Sequence, residues 1–201
     1  MFSGIIEATS SLAAFTLKSG AAEVQIVRPN DFNDLRLGDS ISVDGVCLTV
    51  EAMDEQTVQF TLAAETLQVT GWNPENWGKL KVNLERSLRL GDRIHGHLVT
   101  GHVDAMGEVL GHTYNGESLI LTMKYPEALD QLIWPKGSVA LNGVSLTVNQ
   151  VEAGCFQVCL IPETLRRTNL SLLQVGDKVT IEVDNLARGL LKQQAAARVS
   201  Q

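Results

Sequence analysis

The chain has 201 residues, of which 44% are hydrophobic and 19% are charged, an ordinary mixture for a globular protein that fills its own core. The formal net charge is −7 and the 16 Lys and Arg are scattered, which excludes the clustered basic face of a nucleic-acid-binding protein. Three cysteines without a Cys-x-x-Cys pair argue against a disulfide scaffold and predict a reducing, cytoplasmic location.

The beginning of the chain predicts neither a signal peptide nor a membrane anchor. Residues 1–7 (MFSGIIE) carry no basic region and reach an acidic residue at position 7. No apolar run in the sequence approaches the ~18 residues that a membrane-spanning helix needs. We therefore expect a protein without a membrane partner.

Short segments of β-strand character follow one another along the chain. Residues 41–44 (ISVD) alternate apolar and polar side chains, as a half-buried strand does. Other short segments are rich in β-branched residues, namely 47–50, 58–62, 119–123 and 179–183. Turn signals such as Asp44-Gly45 and Asn142-Gly143 separate them. The pattern predicts about six strands in each half of the chain, closed into an antiparallel barrel.

The two halves of the sequence repeat each other. Residues 45–50 (GVCLTV) recur as 143–148 (GVSLTV), at an offset of 143 − 45 = 98. Residues 65–67 (ETL) recur as 163–165 at the same offset, and Gly4 pairs with Gly101 at an offset of 97. An ordered series of matches along both halves indicates a tandem duplication.

The end of the chain predicts a helix that has no counterpart in the repeat. Residues 186–199 are rich in Ala, Leu, Gln, Lys and Arg, and Leu186, Leu190 and Leu191 would form one apolar stripe that needs a partner surface. The predicted organisation is an N-terminal barrel, a C-terminal barrel and an oligomerisation helix, with a seam near residues 88–96; the three ranges are 1–96, 97–185 and 186–201.

Five segments are similar in sequence to riboflavin synthase of the α-subunit type, and together they extend from Met1 to about Asn185. They are 1–7 (MFSGIIE), 45–50 (GVCLTV), 96–104 (GHLVTGHVD), 136–138 (KGS) and 161–165 (IPETL). The resemblance implies an all-β protein of two six-stranded Greek-key barrels with a C-terminal α-helix, assembled as a homotrimer.

The resemblance also implies a reaction. Two molecules of 6,7-dimethyl-8-ribityllumazine dismutate by four-carbon transfer to give riboflavin and 5-amino-6-ribitylamino-uracil. Neither a metal nor an organic cofactor takes part. The active site would lie between the N-terminal barrel of one subunit and the C-terminal barrel of the next. Lumazine synthase is a further candidate partner.

Residue roles follow from the same resemblance. The catalytic candidates are Phe2, Cys47, His102, Ser145 and Asp184, with Phe2 as an aromatic wall and His102 as a proton carrier. Cys47 or Ser145 would assist addition at the electrophilic carbon of the lumazine. The candidates for substrate binding, among which Lys136 would cap a ribityl tail, are Ser3, Gly4, Ile5, Ile6, Leu48, Thr49, Ala64, Glu65, Thr66, Gly101, Val103, Lys136, Leu146, Thr147, Ile161, Pro162, Glu163 and Thr164.

The two copies are expected to be unequal. The second copy would contribute most of the ionisable differences, namely His102, Lys136 and Asp184, together with Ser145. Purely structural roles stay open as well. Cys47 would then be a buried strand cysteine, the paired threonines would be ordinary strand residues, and Lys136 would be a surface lysine.

Three alternatives to this function come from the residues. If His95 and His97 lay on one strand, both side chains would face the same side and could bind zinc. No Cys or carboxylate completes a recognisable ligand set, however. His95 also stands where the family often has Gly. A carrier of the same fold would bind lumazine without turning it over. A flavin-using oxidoreductase would need a nucleotide-binding domain, for which the Gly-rich phosphate-binding motifs are missing from the sequence.

Overall fold

The computed structural model describes residues 1–77 and 81–199. The first half contains eight short strands and one helix. In chain order they are β1 (Ala8–Ser10), β2 (Leu12–Lys18), β3 (Ala21–Val27), β4 (Ser40–Val43), β5 (Val46–Thr49), β6 (Ala52–Met53), β7 (Thr57–Leu62), α1 (Ala64–Thr70) and β8 (Val82–Arg86).

The second half contains six longer strands, one short helix and two 3-10 turns. The strands are β9 (Ala105–Asn115), β10 (Ser118–Lys124), β11 (Ser138–Leu141), β12 (Val144–Glu152), β13 (Cys155–Leu160) and β14 (Lys178–Val183). The helix α2 (Pro162–Arg167) follows β13, and the 3-10 turns are Glu127–Leu129 and Asn169–Leu172. The chain continues into α3 (Asn185–Val199).

Each half follows the same antiparallel strand order. In the second half β9, β10, β13, β12, β11 and β14 form a closed barrel. In the first half the corresponding strands form two sheets, β1-β8-β4-β5 and β2-β3-β7-β6. The repeat offsets align β1 and β2 together with β9, and β5 and β6 together with β12. The prediction of a duplicated six-stranded barrel is therefore confirmed, with two strands of the first copy broken once each.

Each barrel has its own core because alternate residues of every strand face inward. Val24, Phe60 and Leu84 belong to the buried cluster of the first half, and Leu121 and Phe156 to that of the second. In the first core the rings of Trp72 and Trp77 stack, with centroids 4.1 Å apart.

A buried polar network joins the two barrels. Asn169 donates from Nδ2 to Asp44 Oδ1 at 2.8 Å, and Asn83 donates from Nδ2 to the carbonyl of Asn142 at 2.9 Å. The Thr180 hydroxyl donates to the carbonyl of Asp44 at 2.6 Å. Because an unpaired buried polar group is costly, this network fixes how the two halves sit on each other.

The C-terminal helix predicted for residues 186–199 is confirmed, and it leaves much of its apolar surface uncovered. Ala187 is buried, whereas Leu186 and Leu190 are 71% and 62% exposed and Leu191 is half-buried. Within the described ranges, no helix is both long enough and apolar enough to cross a bilayer.

The segment between β8 and the second copy contains turns rather than a strand. The backbone N–H of Arg89 donates to Asp92 Oδ2 at 2.7 Å, and Gly91 has a φ of 97°, so the chain reverses here. His95 and His97 therefore do not share a strand, which was the condition for the zinc alternative. His95 is exposed and His97 is half-buried.

Candidate functional site

Two short segments cross between the barrels. We call Phe2–Ile6 the first arm and Val99–Val103 the second arm. They pair with each other at Phe2 and Val99, through N–H···O bonds of 2.8 and 3.0 Å. Each arm then docks on the other half, so that Ser145 N–H donates to the carbonyl of Gly4 at 2.8 Å and Cys47 N–H donates to the carbonyl of Gly101 at 2.9 Å.

Glycine allows each arm to come this close to the opposite barrel. Gly4 and Gly101 have φ values of 74° and 81°, in the left-handed region that favours glycine. A Cβ at Gly4 would lie 2.5 Å from the Cβ of Ser145, and one at Gly101 would lie 2.5 Å from the Cβ of Cys47. The repeated glycines therefore mark the two crossing points.

A buried carboxylate holds each arm from its own half. Glu85 accepts from Ser3 N–H at 2.7 Å, Ser3 Oγ at 2.9 Å and Gly4 N–H at 3.0 Å. Burial raises the pKa of Glu85, and the arm's donors oppose that rise. The three bonds offset part of the cost of burying a charge.

The matching carboxylate of the second half is Glu182. It accepts from Thr100 N–H at 2.6 Å, Thr100 Oγ at 2.7 Å and Gly101 N–H at 2.8 Å. The side chain is only 2% exposed. Each arm is thus fixed by its own half and applied to the other.

The strands below the arms carry polar groups on their outer faces. Because side chains alternate along a strand, Cys47 and Thr49 of β5 face outward while Leu48 lies in the core. Ser145 and Thr147 of β12 repeat the arrangement. Leu146 is likewise part of the second core. The side chains of Leu48 and Leu146 support the strands from inside, and the predicted substrate contacts of these two residues stay a prediction.

We group the predicted site residues by the barrel that their segments contact, and call the two groups the first and the second patch. Leu67 of α1 and Val103 of the second arm both pack against the first core, and Leu165 of α2 packs with Ile6 of the first arm in the second. The first patch is Cys47, Thr49, Ala64, Glu65, Thr66, Gly101, His102 and Val103. The second patch is Gly4, Ile5, Lys136, Ser145, Thr147, Ile161, Pro162, Glu163 and Thr164.

The arm exchange corrects how the two copies differ. His102 belongs to the second copy in sequence, but its arm lies on the first barrel beside Cys47. His102 is therefore separated from Ser145 and Lys136, which the same copy contributes to the second barrel. The cause is the crossing of the arms: repeat offsets identify which residues correspond, not the barrel on which they lie.

Phe2, Ser3 and Ile6 face inward. Phe2 is fully buried against Val99, Ala140 and Cys47 at the junction of the barrels. Its side chain is fully covered in the single chain, and its role as an aromatic wall stays a prediction. Ser3 is buried under the bonds to Glu85, and Ile6 packs in the second core, whereas Ile5 is 41% exposed on the second patch.

Ser145 is hydrogen-bonded to His97. The distance from Ser145 Oγ to His97 Nδ1 is 2.7 Å, and Gly96 lies directly over the serine. Burial lowers the pKa of His97, while the nearby charges of Asp184 and Glu182 raise it in part. The imidazole is therefore neutral near pH 7 and able to exchange a proton with the hydroxyl. Cys47 has no corresponding histidine partner among the described residues.

Asp184 connects the second patch to α3. Its Oδ1 accepts from Leu186 N–H at 3.0 Å, and its carbonyl accepts from Ala187 N–H at 3.0 Å. The side chain therefore helps to begin the helix and also acts on His97 through its charge.

Lys136 and Glu163 are the two predicted binding residues of the second patch that carry a charge. Lys136 is exposed with a φ of 68°, at the position where the first half has Gly38. Glu163 forms ion pairs with Arg166 and Arg167 of its own helix, and the bond to Arg166 leads in lowering its pKa. A ligand that bonds to Glu163 must compete with these arginines.

Both patches contain exposed residues, among them Thr49 and His102 in the first and Lys136 and Thr147 in the second. A cleft of 860 Å³ beside the first arm is lined by Ile5, Ser40, Arg86 and His95 among others, but neither Cys47 nor Ser145 lines it. Among the described residues there is also no group of three or more His, Cys, Asp and Glu side chains that could hold a metal ion.

Three residues of this arrangement had no predicted role. His97 was part of a recognised motif but had no assigned partner, since Ser145 lies 48 positions away. Glu85 and Glu182 recur at an offset of 97 inside apolar strand segments. A repeated acid at a core-facing strand position is the signal that could have identified them.

The chain matches the family model of the lumazine binding domain twice, over residues 3–87 and 100–184. It is 39% identical over 189 residues to a riboflavin synthase of Photobacterium phosphoreum, covering 94% of this chain and 86% of that protein. It is 42% identical over 193 residues to a riboflavin synthase of Brucella abortus (strain 2308), covering 94% and 95%.

Solved structures share the fold at lower sequence identity. LumP complexed with riboflavin superposes with a TM-score of 0.84 at 23% identity, over 91% of this chain and 99% of that one. LumP complexed with 6,7-dimethyl-8-(1'-D-ribityl) lumazine gives a TM-score of 0.81 at the same identity and coverage. At this level of identity the likeness establishes the fold alone.

Proposed function

The chain belongs to the riboflavin synthase family, and we propose that it converts two molecules of 6,7-dimethyl-8-ribityllumazine into riboflavin and 5-amino-6-ribitylamino-uracil by four-carbon transfer. The observation that carries the proposal is the pair of equivalent patches built around Cys47 and Ser145. A reaction between two copies of one molecule needs two similar binding surfaces, and the duplication supplies them.

Each patch binds one lumazine against the outer face of its barrel. On the first patch the ring lies between Cys47, Thr66 and the second arm, where His102 and Val103 stand. On the second patch the ring lies between Ser145, Thr164 and the first arm. Lys136 reaches the ribityl chain there, because it precedes the strand that pairs with Thr147.

The unlike residues divide the work of the reaction. One lumazine must lose a proton from its methyl group while the other accepts a nucleophile at its electrophilic carbon. Ser145, with neutral His97 as proton acceptor, serves the addition, and His102 of the first patch moves the methyl proton. Holding the two rings in reacting geometry lowers the barrier by about 7–11 kcal/mol, with no metal or organic cofactor required.

The open patches imply that the complete site needs a second subunit. A bound ligand of this size is normally about 70–90% buried, whereas the patches are surface features of the single chain. We propose a homotrimer in which the first patch of one subunit faces the second patch of the next. The exposed Leu186 and Leu190 of α3 are the apolar surface that holds the subunits together.

The three free cysteines fit a reducing compartment, and we propose that the enzyme works in the cytoplasm. Lumazine synthase is a candidate partner, since it would deliver the substrate directly to the trimer.

The decisive experiment is turnover by purified protein that has been treated with a chelator. We expect one riboflavin for every two lumazines consumed, measured by chromatography and by the change in visible absorbance. Ser145→Ala should lower the rate, and Ser118→Ala, a half-buried serine on β10, is the matched control that should not.

Two outcomes would contradict the proposal. Lumazine binding without any riboflavin would indicate a carrier, and activity that returns only with added metal would refute the metal-free reaction.

A further inference from the structure

The structure assigns a positioning role to Glu182: it holds the second arm so that His102 stands correctly on the first patch. This inference rests on the proposed function, because His102 acts there as the proton carrier. It goes further by making the carboxylate of one barrel responsible for the geometry of the site on the other.

Glu182 reaches His102 through the arm residues that precede it. Two of its three bonds go to Thr100 and the third to the backbone of Gly101. The Thr100 hydroxyl in turn accepts from the backbone N–H of His102 at 3.3 Å. The two residues before His102 and its own amide are therefore tied, directly or through Thr100, to Glu182.

The other side of His102 is tied to the same barrel. Asp104 accepts from Val183 N–H at 2.9 Å and pairs with Arg188 of α3. His102 thus stands between two anchors of the second half, while the neighbouring Gly101 carbonyl accepts from Cys47 of the first. The second barrel therefore holds His102 in place, while the first barrel forms its surroundings.

A carboxylate is the side chain that this position requires. An ionised carboxylate only accepts hydrogen bonds, and all three of the arm groups bonded to Glu182 are donors. An amide in its place would turn an N–H₂ group toward one of these donors. The arm would then shift, and a displacement of about 1 Å at a catalytic group can cost roughly 100-fold in rate.

Glu85 provides a matched control because it makes the same kind of bonds to the first arm. It holds Ser3 and Gly4, and that arm presents Ile5 rather than an ionisable group. Glu85→Gln and Glu182→Gln therefore disturb equivalent supports, and only the second arm carries a histidine.

The test compares Glu182→Gln, Glu85→Gln and His102→Gln, alone and combined, by steady-state kinetics. We expect Glu182→Gln to lower kcat about 10- to 100-fold with little change in KM. When Glu182→Gln is combined with His102→Gln, we expect no further loss of kcat. When Glu85→Gln is combined with His102→Gln, the two fold-losses of kcat should multiply. Undiminished kcat in Glu182→Gln, undiminished kcat in His102→Gln, or multiplication of the two losses would overturn the inference.

Milder variants protect the test against loss of folding. Thr100→Val removes the hydroxyl that links Glu182 to His102 and should reproduce the loss of kcat, and Ser3→Ala is its counterpart on the first arm. Retention of kcat in a folded Thr100→Val would also overturn the inference.

A measurement without turnover separates this inference from the proposed function. The imidazole signals of His102 in the NMR spectrum should move in Glu182→Gln and stay in Glu85→Gln. Unmoved signals would refute the positioning role even in an active enzyme. A wild-type protein that makes no riboflavin would instead refute the proposed function. Displaced His102 signals in Glu182→Gln would still show that Glu182 positions the second arm.

Discussion

Lys136 adopts a backbone conformation that glycine adopts freely and lysine only at a cost in free energy. Its φ is 68°, and the first half has Gly38, with a φ of 89°, at the corresponding place. A non-glycine residue there costs about 1 kcal/mol or more. Lysine at this position therefore points to a use for its side chain, in agreement with the proposed contact to the ribityl tail.

Substituting Lys136 should change stability and ligand affinity in opposite directions. Lys136→Gly should raise the free energy of unfolding by about 1 kcal/mol through relief of strain, while weakening lumazine binding. Asparagine tolerates the same conformation better than lysine does, so Lys136→Asn should weaken lumazine binding with a smaller gain in the free energy of unfolding. Urea unfolding and fluorescence titration measure the two effects. A variant that keeps full affinity would leave Lys136 an ordinary surface lysine.

Asp44 gives the junction of the barrels a pH dependence. Burial raises the pKa of its carboxyl from 3.8 to about 6, against the opposing bonds from Asn83, Trp77 and Asn169. Between these two values the folded chain holds a proton that the unfolded chain has released. The contribution of Asp44 to stability is therefore full below pH 3.8 and falls as the pH rises to about 6, by about 3 kcal/mol in all.

Asp44→Asn should remove this slope from the unfolding free energy. At pH values above 6 the variant should still be less stable than the removal of a buried charge alone would predict. The reason is that Trp77 Nε1–H loses its acceptor, Asp44 Oδ2, at 3.0 Å. Urea unfolding across this pH range measures both effects. Asp54→Asn is the control, because backbone N–H groups of Gln56 and Thr57 hold the pKa of Asp54 below 3.8. An unchanged slope in Asp44→Asn would refute the assignment.

At the scale of elements, the crossed arms make each patch depend on both halves. Gly101 lies over Cys47, and an added Cβ would come within 2.9 Å of three of its atoms. The arm of the second half therefore forms part of the first patch, and it cannot move away without releasing Glu182.

Gly101→Ala should damage the first patch although its sequence belongs to the second copy. The positive φ and the collision with Cys47 should cost more than about 2 kcal/mol and weaken one of two lumazine-binding events, measured by calorimetry. Gly111→Ala on β9 is the control, since a Cβ there meets nothing within 4 Å. Equal loss of stability in both variants would contradict the close contact.

The strands and the duplication could be predicted because both are written locally in the sequence. Alternating residues such as 41–44 identify a strand from its own neighbours, and the repeat needs only an offset. The crossing of the arms depends on contacts between residues such as Gly4 and Ser145, for which no local pattern exists. The same limit explains why the sequence does not indicate the position of His102 on the first barrel, the inward position of Phe2 or the partner of His97.

At the scale of the whole molecule, α3 is the surface that most needs a partner. Its outer leucines are exposed and its sequence carries Arg188 and Lys192 with no acidic residue between Asn185 and Val199. A helix that hides Ala187 and shows Leu186 and Leu190 is typical of a subunit contact.

Two changes should separate assembly from folding. Leu186→Gln combined with Leu190→Gln should shift the mass in light scattering from trimer toward monomer and lower turnover, while the circular dichroism of the barrels stays unchanged. Leu17→Gln, another exposed leucine on β2, is the matched control. Truncation after Asp184 should give the same shift. A fully active monomer would refute the shared site.

The exchange of arms also sets the order in which the chain can finish folding. Gly4 meets Ser145 across 145 − 4 = 141 positions, so the first arm waits for a strand that is synthesised much later. Contacts between residues so distant in sequence form slowly, because the intervening chain must first lose its freedom. The nascent first barrel therefore leaves the ribosome with Ile6 still lacking its place in the second core. We expect the unfinished first barrel to expose apolar surface at that stage, because Ile6 of its arm packs only in the second core.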